Sequence, residues 1–214
     1  TVTLEPHWKH WLFALDLPGS LPQSTANADA ARMRTDVDAM LTRDQQVLAR
    51  LPVTQPLRYQ QSSTLRDTYP AGRGPELQQD LSDNLRLPSG EGRSNPKTLA
   101  FARTLRRAHR DDQAFIDAVL DWFHKERFFY TLAPPLLGAN PVDGFLFETR
   151  RGFCEHYASA FVVLLRAAGI PARVVTGYQG GTINPNGNYM IVRQSDAHAW
   201  AEALVGGQWR RLDP

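Results

Sequence analysis

The pattern of apolar and polar positions changes character near residue 96. Before it, short alternating stretches such as TVTLEP and RYQQSST (58–64) predict strands, and recurring prolines argue against long helices. Residues 70–95 are rich in Gly, Pro, Ser and Asn, which is typical of a connector. We therefore expect a β-rich accessory region over 1–95, with a linker at about 70–95, followed by a separate domain over 96–214.

Two helices are predicted at the start of this second domain. Asn95 is a good N-cap and Pro96 suits the first helical position, so a helix is expected from there to about His109. Asp111 is expected to cap a second helix over 112 to about 126. Apolar residues cover a wide face of the second helix, which indicates that it is well buried.

A short strand and a long loop lead to the single cysteine of the chain. RFFYT (127–131) predicts the strand, and the stretch rich in Pro and Gly at 133–144 predicts the loop. The next segment, 154–168, has the apolar spacing of a helix that begins at Cys154. Gly169 is expected to end it.

Strands dominate the remaining sequence. ARVVTGY (172–178) and NYMIVRQ (188–194) predict two strands, and HAWAEALV (198–205), Gly206-Gly207 and QWRRLD (208–213) predict a hairpin. The core is therefore expected to be an α+β fold, with one helix followed by four antiparallel strands.

Composition and charge exclude several classes of protein. The 214 residues are 42% hydrophobic and 21% charged, with a net charge of +2, which is ordinary globular composition and indicates no particular partner. The sequence contains no run of 18 apolar residues, so it predicts no membrane span. Arginines follow one face of the first predicted helix, but no nucleic-acid motif accompanies them, so a solvated face is expected. The sequence reads as a piece of a longer protein.

The position of Cys154 makes it a candidate nucleophile. A lone cysteine is most often a small core residue. The first turn of a helix, however, has free N–H groups and the positive end of the dipole, which stabilise a thiolate. A thiolate nucleophile needs a base, and His198 is the best placed of the six histidines. His156 lies two residues after the cysteine, about 200° around the helix, and is expected to face away.

The predicted hairpin supplies a carboxylate for His198. If Gly206-Gly207 is a two-residue turn, Trp200 lies opposite Asp213, and Asp213 becomes a diagonal neighbour of His198 on the same face. A shift of one residue in the register would move Asp213 to the other face. Cys154, His198 and Asp213 together form the arrangement of acyl transfer through a thioester, with the histidine as base and the aspartate as its orienting group.

These motifs resemble a known family. GFCEHYASAFVVLLRAAGIPARVVTGYQGG and DAHAWAEALVGGQWRRLDP, with their spacing, resemble the transglutaminase-like superfamily of papain-type cysteine enzymes over roughly 96–214. The resemblance implies a papain/transglutaminase-like core in which the cysteine helix packs on an antiparallel sheet. It also assigns the nucleophile to Cys154, the base to His198 and the orienting acid to Asp213.

Two further stretches, 4–16 and 130–161, resemble the bacterial membrane-anchored branch of this family. The resemblance implies a periplasmic domain of an inner-membrane protein, whose only membrane contact is through anchor segments outside this sequence. The backbone N–H of Cys154 is a natural first donor to an oxyanion. Because some relatives use an indole as the second donor, Trp122 and Trp200 are candidates for the oxyanion or substrate pocket. Trp200 is equally typical of core packing.

No metal or cofactor is expected. The chain has no acidic loop with the spacing of an EF-hand, so the calcium requirement of animal transglutaminases is not predicted. Asp196 and His198 share a strand face, but further ligands are too few for a metal site.

The implied activity is a transglutaminase-type transfer of a protein glutamine acyl group to an amine. The alternative is a protease, amidase or deamidase in which the same triad passes the acyl group to water. A third hypothesis is a non-catalytic binding or assembly domain, against which the intact triad counts. The expected partners are a protein or peptide that carries the glutamine or amide donor, and an amine or water acceptor.

Overall fold

A computed structural model describes residues 1–25 and 34–214 of the chain, which divide into two compact units, Thr1–Asp67 and Thr68–Pro214. The sequence predicts a boundary near residue 95, whereas the division between the units falls before Thr68. The difference arises because Thr68–Pro70 is a strand of the second unit's sheet. The assignment of 1–95 as an accessory region and 96–214 as the catalytic domain stays a prediction.

The first unit is built from strands, as the alternating sequence predicts. Its strands are β1 (Val2–Leu4), β2 (Trp11–Leu12), β3 (Leu17–Pro18), β4 (Gln23–Ser24), β5 (Ala39–Leu41), β6 (Val47–Ala49), β7 (Leu57–Gln60) and β8 (Ser63–Thr64). They pair antiparallel in three small sheets, β1-β7-β4, β2-β6-β5 and β3-β8. Tyr59 is fully buried at the centre of this unit, and its hydroxyl donates to the carbonyl of Phe13 at 2.8 Å.

The second unit combines helices with a larger sheet. Its helices are α1 (Pro75–Asn84), α2 (Pro96–Ala108), α3 (Asp112–Lys125), α4 (Pro141–Asp143) and α5 (Cys154–Ala167), with a π-helical turn at Gly144–Thr149 and a 3₁₀ turn at Gln194–Asp196. Its strands are β9 (Thr68–Pro70), β10 (Phe129–Tyr130), β11 (Arg151–Gly152), β12 (Ala172–Tyr178), β13 (Thr182–Asn184), β14 (Tyr189–Ile191), β15 (Ala197–Val205) and β16 (Gln208–Leu212). Within the described ranges, no helix has both the length and the apolar character needed to cross a bilayer.

The main sheet has the order β12-β15-β16-β9, with antiparallel pairing throughout. Ala201 and Ala203 of its central strand β15 are fully buried in the same apolar cluster as Phe161 and Leu165 of α5. Small side chains on this face let the helix approach the sheet closely. The predicted α+β fold, with the cysteine helix on an antiparallel sheet, is thereby confirmed.

One of the four strands predicted for the core does form, but its predicted place in the main sheet is wrong. The strand expected at 188–194 is β14, which pairs only with β13 in a separate hairpin. Its place in the sheet is taken by β9, in which Tyr69 lies opposite Trp209. Residues 68–70 lack a local signal for this pairing, because their partner strand lies far along the chain.

Two segments predicted as irregular contain helix. The connector at 70–95 includes α1, an amphipathic helix with no fully buried residue. The loop predicted at 133–144 ends in α4, which continues as the π-helical turn to Thr149. The signal for α4 is present in the sequence, because Asn140-Pro141 repeats the Asn-Pro start of α2.

The start of α2 is capped differently from the prediction. Asn95 does not cap its own helix; its side-chain oxygen accepts from the backbone N–H groups of Val142 and Asp143 instead. The buried carboxylate of Asp143 in turn accepts from the N–H groups of Lys97 and Thr98 at 3.0 and 2.7 Å. The two helix starts therefore cap each other, and this exchange joins α2 to the segment that leads to the cysteine.

Candidate active site

Cys154 is the first residue of α5, as the sequence predicts, and it is partly buried. Phe153 is extended and precedes the helix. Gly152 lies close against the first turn, because an added Cβ would be 2.6 Å from Cβ of His156 and 2.9 Å from the ring of Phe145. Glycine therefore serves here to provide space, which allows the cysteine helix to begin immediately after β11.

His156 helps to start the helix. Its Nδ1 accepts from the backbone N–H of Phe153 at 3.4 Å, and its ring packs against the rings of Phe145 and Phe153. Burial lowers the pKa of His156, which favours the neutral ring that this hydrogen bond requires. The predicted exclusion of His156 as the base is consistent with these contacts.

His198 and Asp213 are in direct contact. The hairpin register pairs Ala201 with Leu212 and Val205 with Gln208, which confirms the predicted two-residue turn at Gly206-Gly207. His198 Nε2 lies 2.9 and 3.0 Å from the two carboxylate oxygens of Asp213. Because a carboxylate accepts hydrogen bonds, it favours the tautomer with the hydrogen on Nε2. Nδ1 is then the nitrogen able to accept a proton.

A tyrosine that the sequence analysis did not single out lies beside the cysteine. Tyr130 ends β10, which pairs in parallel with β11 so that Tyr130 lies opposite Gly152. Tyr130 lies close enough to Cys154 and Asp213 for both groups to act on its titration. Burial is the main cause that raises the pKa of Tyr130, the Cys154 thiol and Asp213 raise it further, and the Cys154 N–H opposes them. Tyr130 therefore lies in the same neighbourhood as Cys154 and Asp213.

The two candidate tryptophans occupy different surroundings. Trp200 stacks on His198 with ring centroids 6.3 Å apart, and the Arg211 guanidinium lies 4.2 Å from its ring centroid on the neighbouring strand. Its ring edge lies over Gly177, where an added Cβ would be 2.7 Å from the indole. Trp122 packs among four phenylalanine rings at centroid distances of 4.7–6.0 Å, namely Phe101, Phe123, Phe128 and Phe147. Their assignment to an oxyanion or substrate pocket stays a prediction.

A partly buried ion pair lies on the same face of the sheet as Trp200. The Arg173 guanidinium binds the Glu202 carboxylate at 2.9 Å and lies 4.4 Å from the ring centroid of Trp209. Tyr69 donates from its hydroxyl to Glu202 at 2.8 Å. Burial and the nearby Glu202 charge raise the pKa of Tyr69, so it stays a neutral donor. Four strands are thus fixed to one another behind the histidine.

Comparison with known proteins relates the chain to one family. The family model described as the transglutaminase-like superfamily matches residues 99–214. A protein-glutamine gamma-glutamyltransferase of Pseudomonas aeruginosa is 44% identical over 214 residues, which is 100% of this chain and 29% of that protein. An uncharacterized Bacillus subtilis protein, YebA, is 38% identical over 126 residues, covering 55% of this chain and 17% of the relative. The chain thus spans less than a third of the length of either curated relative.

The solved structure of the periplasmic domain of TgpA from Pseudomonas aeruginosa superposes with a TM-score of 0.80 and 42% identity, covering 99% of this chain and 67% of that one. The likeness extends over both units, which confirms the predicted periplasmic location. By the match to its family model over more than half of its residues, the chain belongs to the transglutaminase-like superfamily.

Proposed function

We propose that this domain catalyses transglutaminase-type acyl transfer, from a glutamine carboxamide of a protein substrate to an amine, through a thioester on Cys154. The observation that carries the proposal is the contact of His198 Nε2 with both carboxylate oxygens of Asp213, at 2.9 and 3.0 Å. This contact supports His198 as a base, because it favours one tautomer of the ring. The position of the single cysteine at the start of a helix supports Cys154 as the nucleophile. The name of the Pseudomonas aeruginosa relative, a protein-glutamine gamma-glutamyltransferase, supports the choice of donor.

The first half of the reaction forms the thioester. His198 Nδ1 takes the thiol proton, and Asp213 stabilises the resulting imidazolium. The thiolate attacks the carboxamide carbon, and the carbonyl electron pair moves onto oxygen. The backbone N–H of Cys154 and the positive end of α5 stabilise this oxyanion. When the intermediate collapses, the imidazolium protonates the nitrogen and ammonia leaves.

The second half transfers the acyl group. A primary amine attacks the thioester, His198 accepts its proton, and the sulfur leaves as a thiolate. Water in place of the amine would give hydrolysis with the same groups. The triad lies wholly within the Thr68–Pro214 unit, which supports the assignment of the catalytic role to that unit.

The test uses the 214-residue chain with a glutamine-containing donor peptide and an isotopically labelled primary amine, followed by mass spectrometry. We expect amine incorporation in the wild type and none in Cys154→Ala. His198→Gln should abolish incorporation, whereas the matched variant His124→Gln, on an exposed helix position, should retain it. Cysteine-dependent deamidation or cleavage without incorporation would replace the transferase with the hydrolase. No reaction with a panel of donors, together with no preferential alkylation of Cys154, would favour the non-catalytic domain.

A further inference from the structure

Arg211 shares a face of the main sheet with the histidine of the candidate site. On β15 this face presents His198, Trp200 and Glu202, because alternate residues of a strand point to the same side. The register pairs Glu202 with Arg211 of β16, so Arg211 lies on that face too. Arg211 is therefore a diagonal neighbour of Trp200, and it lies two residues before Asp213 in the sequence.

The indole of Trp200 contacts both the histidine and the arginine. Its ring stacks on His198, with centroids 6.3 Å apart and planes at 26°. The guanidinium carbon of Arg211 lies 4.2 Å from the centroid of the same indole. A cation over the face of an indole is attracted by the ring's quadrupole. Arg211 thus restrains the ring that packs on the imidazole.

Gly177 provides the space that the indole occupies. It lies opposite His198 in the pairing of β12 with β15. An added Cβ there would be 2.7 Å from Cη2 and 3.1 Å from Cζ3 of Trp200, so the six-membered ring lies directly over the backbone of this glycine. A glycine leaves room for the ring but has no side chain to hold it. The position of the indole beside His198 therefore depends on attraction from its other neighbours, and Arg211 supplies it.

We propose that Arg211 is a positioning residue, whose cation holds Trp200 against His198 and so keeps the imidazole oriented for proton transfer. The inference rests on the proposed acyl transfer and goes beyond it by giving a role to a residue outside the triad. In this role Arg211 acts through the indole and takes no part in proton transfer. Because the imidazole moves a proton in both halves of the reaction, its misalignment should lower kcat rather than weaken donor binding.

The test compares Arg211→Met with Arg210→Met. Methionine keeps an unbranched apolar side chain beside the indole but removes the cation. Arg210 lies on the same strand but on the opposite face, where its guanidinium donates to Gln113 at 2.7 Å, so its replacement makes the same change in net charge. With a glutamine donor peptide and a primary amine, we expect Arg211→Met to lower kcat by about tenfold and to leave KM near the wild-type value. Arg210→Met should match the wild type in both.

A double-mutant cycle separates action through the indole from a direct effect of the charge on the contact of His198 with Asp213. In a Trp200→Leu background, Arg211→Met should cause no further loss of kcat, because the ring that transmits its effect is gone. Arg211→Lys keeps a cation that can lie over the indole, so this variant should retain a higher kcat than Arg211→Met. All rates are normalised to the folded fraction measured by circular dichroism.

Three results would overturn the inference while leaving the proposed function intact. An unchanged kcat in Arg211→Met would mean that the cation has no positioning role. An equally large further loss in the Trp200→Leu background would mean that Arg211 does not act through the indole. A kcat of Arg211→Lys no higher than that of Arg211→Met would exclude the charge as the cause. Absence of turnover in the wild type would instead overturn the proposed function, and the inference with it.

Discussion

Replacing Gly152 with alanine tests whether space behind the first turn of α5 positions the nucleophile. The added methyl carbon would lie 2.6 Å from Cβ and 2.7 Å from Cγ of His156, and 2.9 Å from the Phe145 ring. Ordinary contacts of this kind begin at 3.4 Å. Cβ of His156 is fixed to the helix backbone, so a side-chain rotation cannot relieve this contact. To restore a distance of 3.4 Å, the first turn of α5 has to move away from residue 152 by about 0.8 Å.

This shift has a predictable cost in both stability and activity. Overpacking of a well-packed site typically costs about 1–3 kcal/mol of unfolding free energy. Moving Cys154 by close to an ångström relative to His198 should lower the turnover of the donor by about 10²-fold. Urea denaturation followed by tryptophan fluorescence measures the first effect, and single-turnover acylation measures the second.

Gly138→Ala is the matched control. An added Cβ there meets nothing within 4 Å, and Gly138 does not have the left-handed backbone that would strain an alanine. We expect this variant to match the wild type in both assays. If Gly152→Ala behaved like Gly138→Ala, the argument that close packing at this glycine sets the position of the cysteine would be refuted.

Three further substitutions test the supports around the site. Asp143→Ala leaves the buried Thr98 hydroxyl and two N–H groups at the start of α2 without their acceptor, so a urea titration should show a loss of about 2–4 kcal/mol. Gly177→Ala would place a methyl 2.7 Å from the edge of Trp200 and displace the indole from its stack on His198. Kinetics should show a fall in turnover of about tenfold, with a smaller loss of stability. Asp213→Asn should keep the fold, because the carboxylate is partly exposed. Steady-state assays should show a fall in turnover of about 10²–10⁴-fold, because the histidine loses its charged partner.

The parts of the fold that depend on local signals could be predicted from the sequence. Gly169 ends α5 because it adopts a positive φ of 81°, and Ile170 then donates its N–H to the carbonyl of Leu165 at 2.9 Å. Gly206-Gly207 sets the hairpin register in the same local manner. The contact between His198 and Asp213 follows from that register alone.

The parts that depend on distant partners could not be predicted. The strand Thr68–Pro70 shows no pattern that would assign it to β16, and its pairing becomes visible only once the sheet has formed. Asn95 is a strong N-cap residue, but its partners lie more than 40 positions along the chain. The place of Tyr130 beside Cys154 depends on the parallel pairing of β10 with β11, for which such short strands carry no sequence signal.

The central claim is that Cys154 carries the acyl group, and the most direct measurement traps it there. The chain is mixed with a glutamine donor peptide in the absence of amine, quenched in acid within the first turnover, and analysed as intact protein and then as peptides. We predict an adduct on Cys154 with the mass of the donor less one ammonia, which disappears when a primary amine is added and never forms in Cys154→Ala. Cysteine-independent transfer, or turnover without any acyl group on Cys154, would contradict the account.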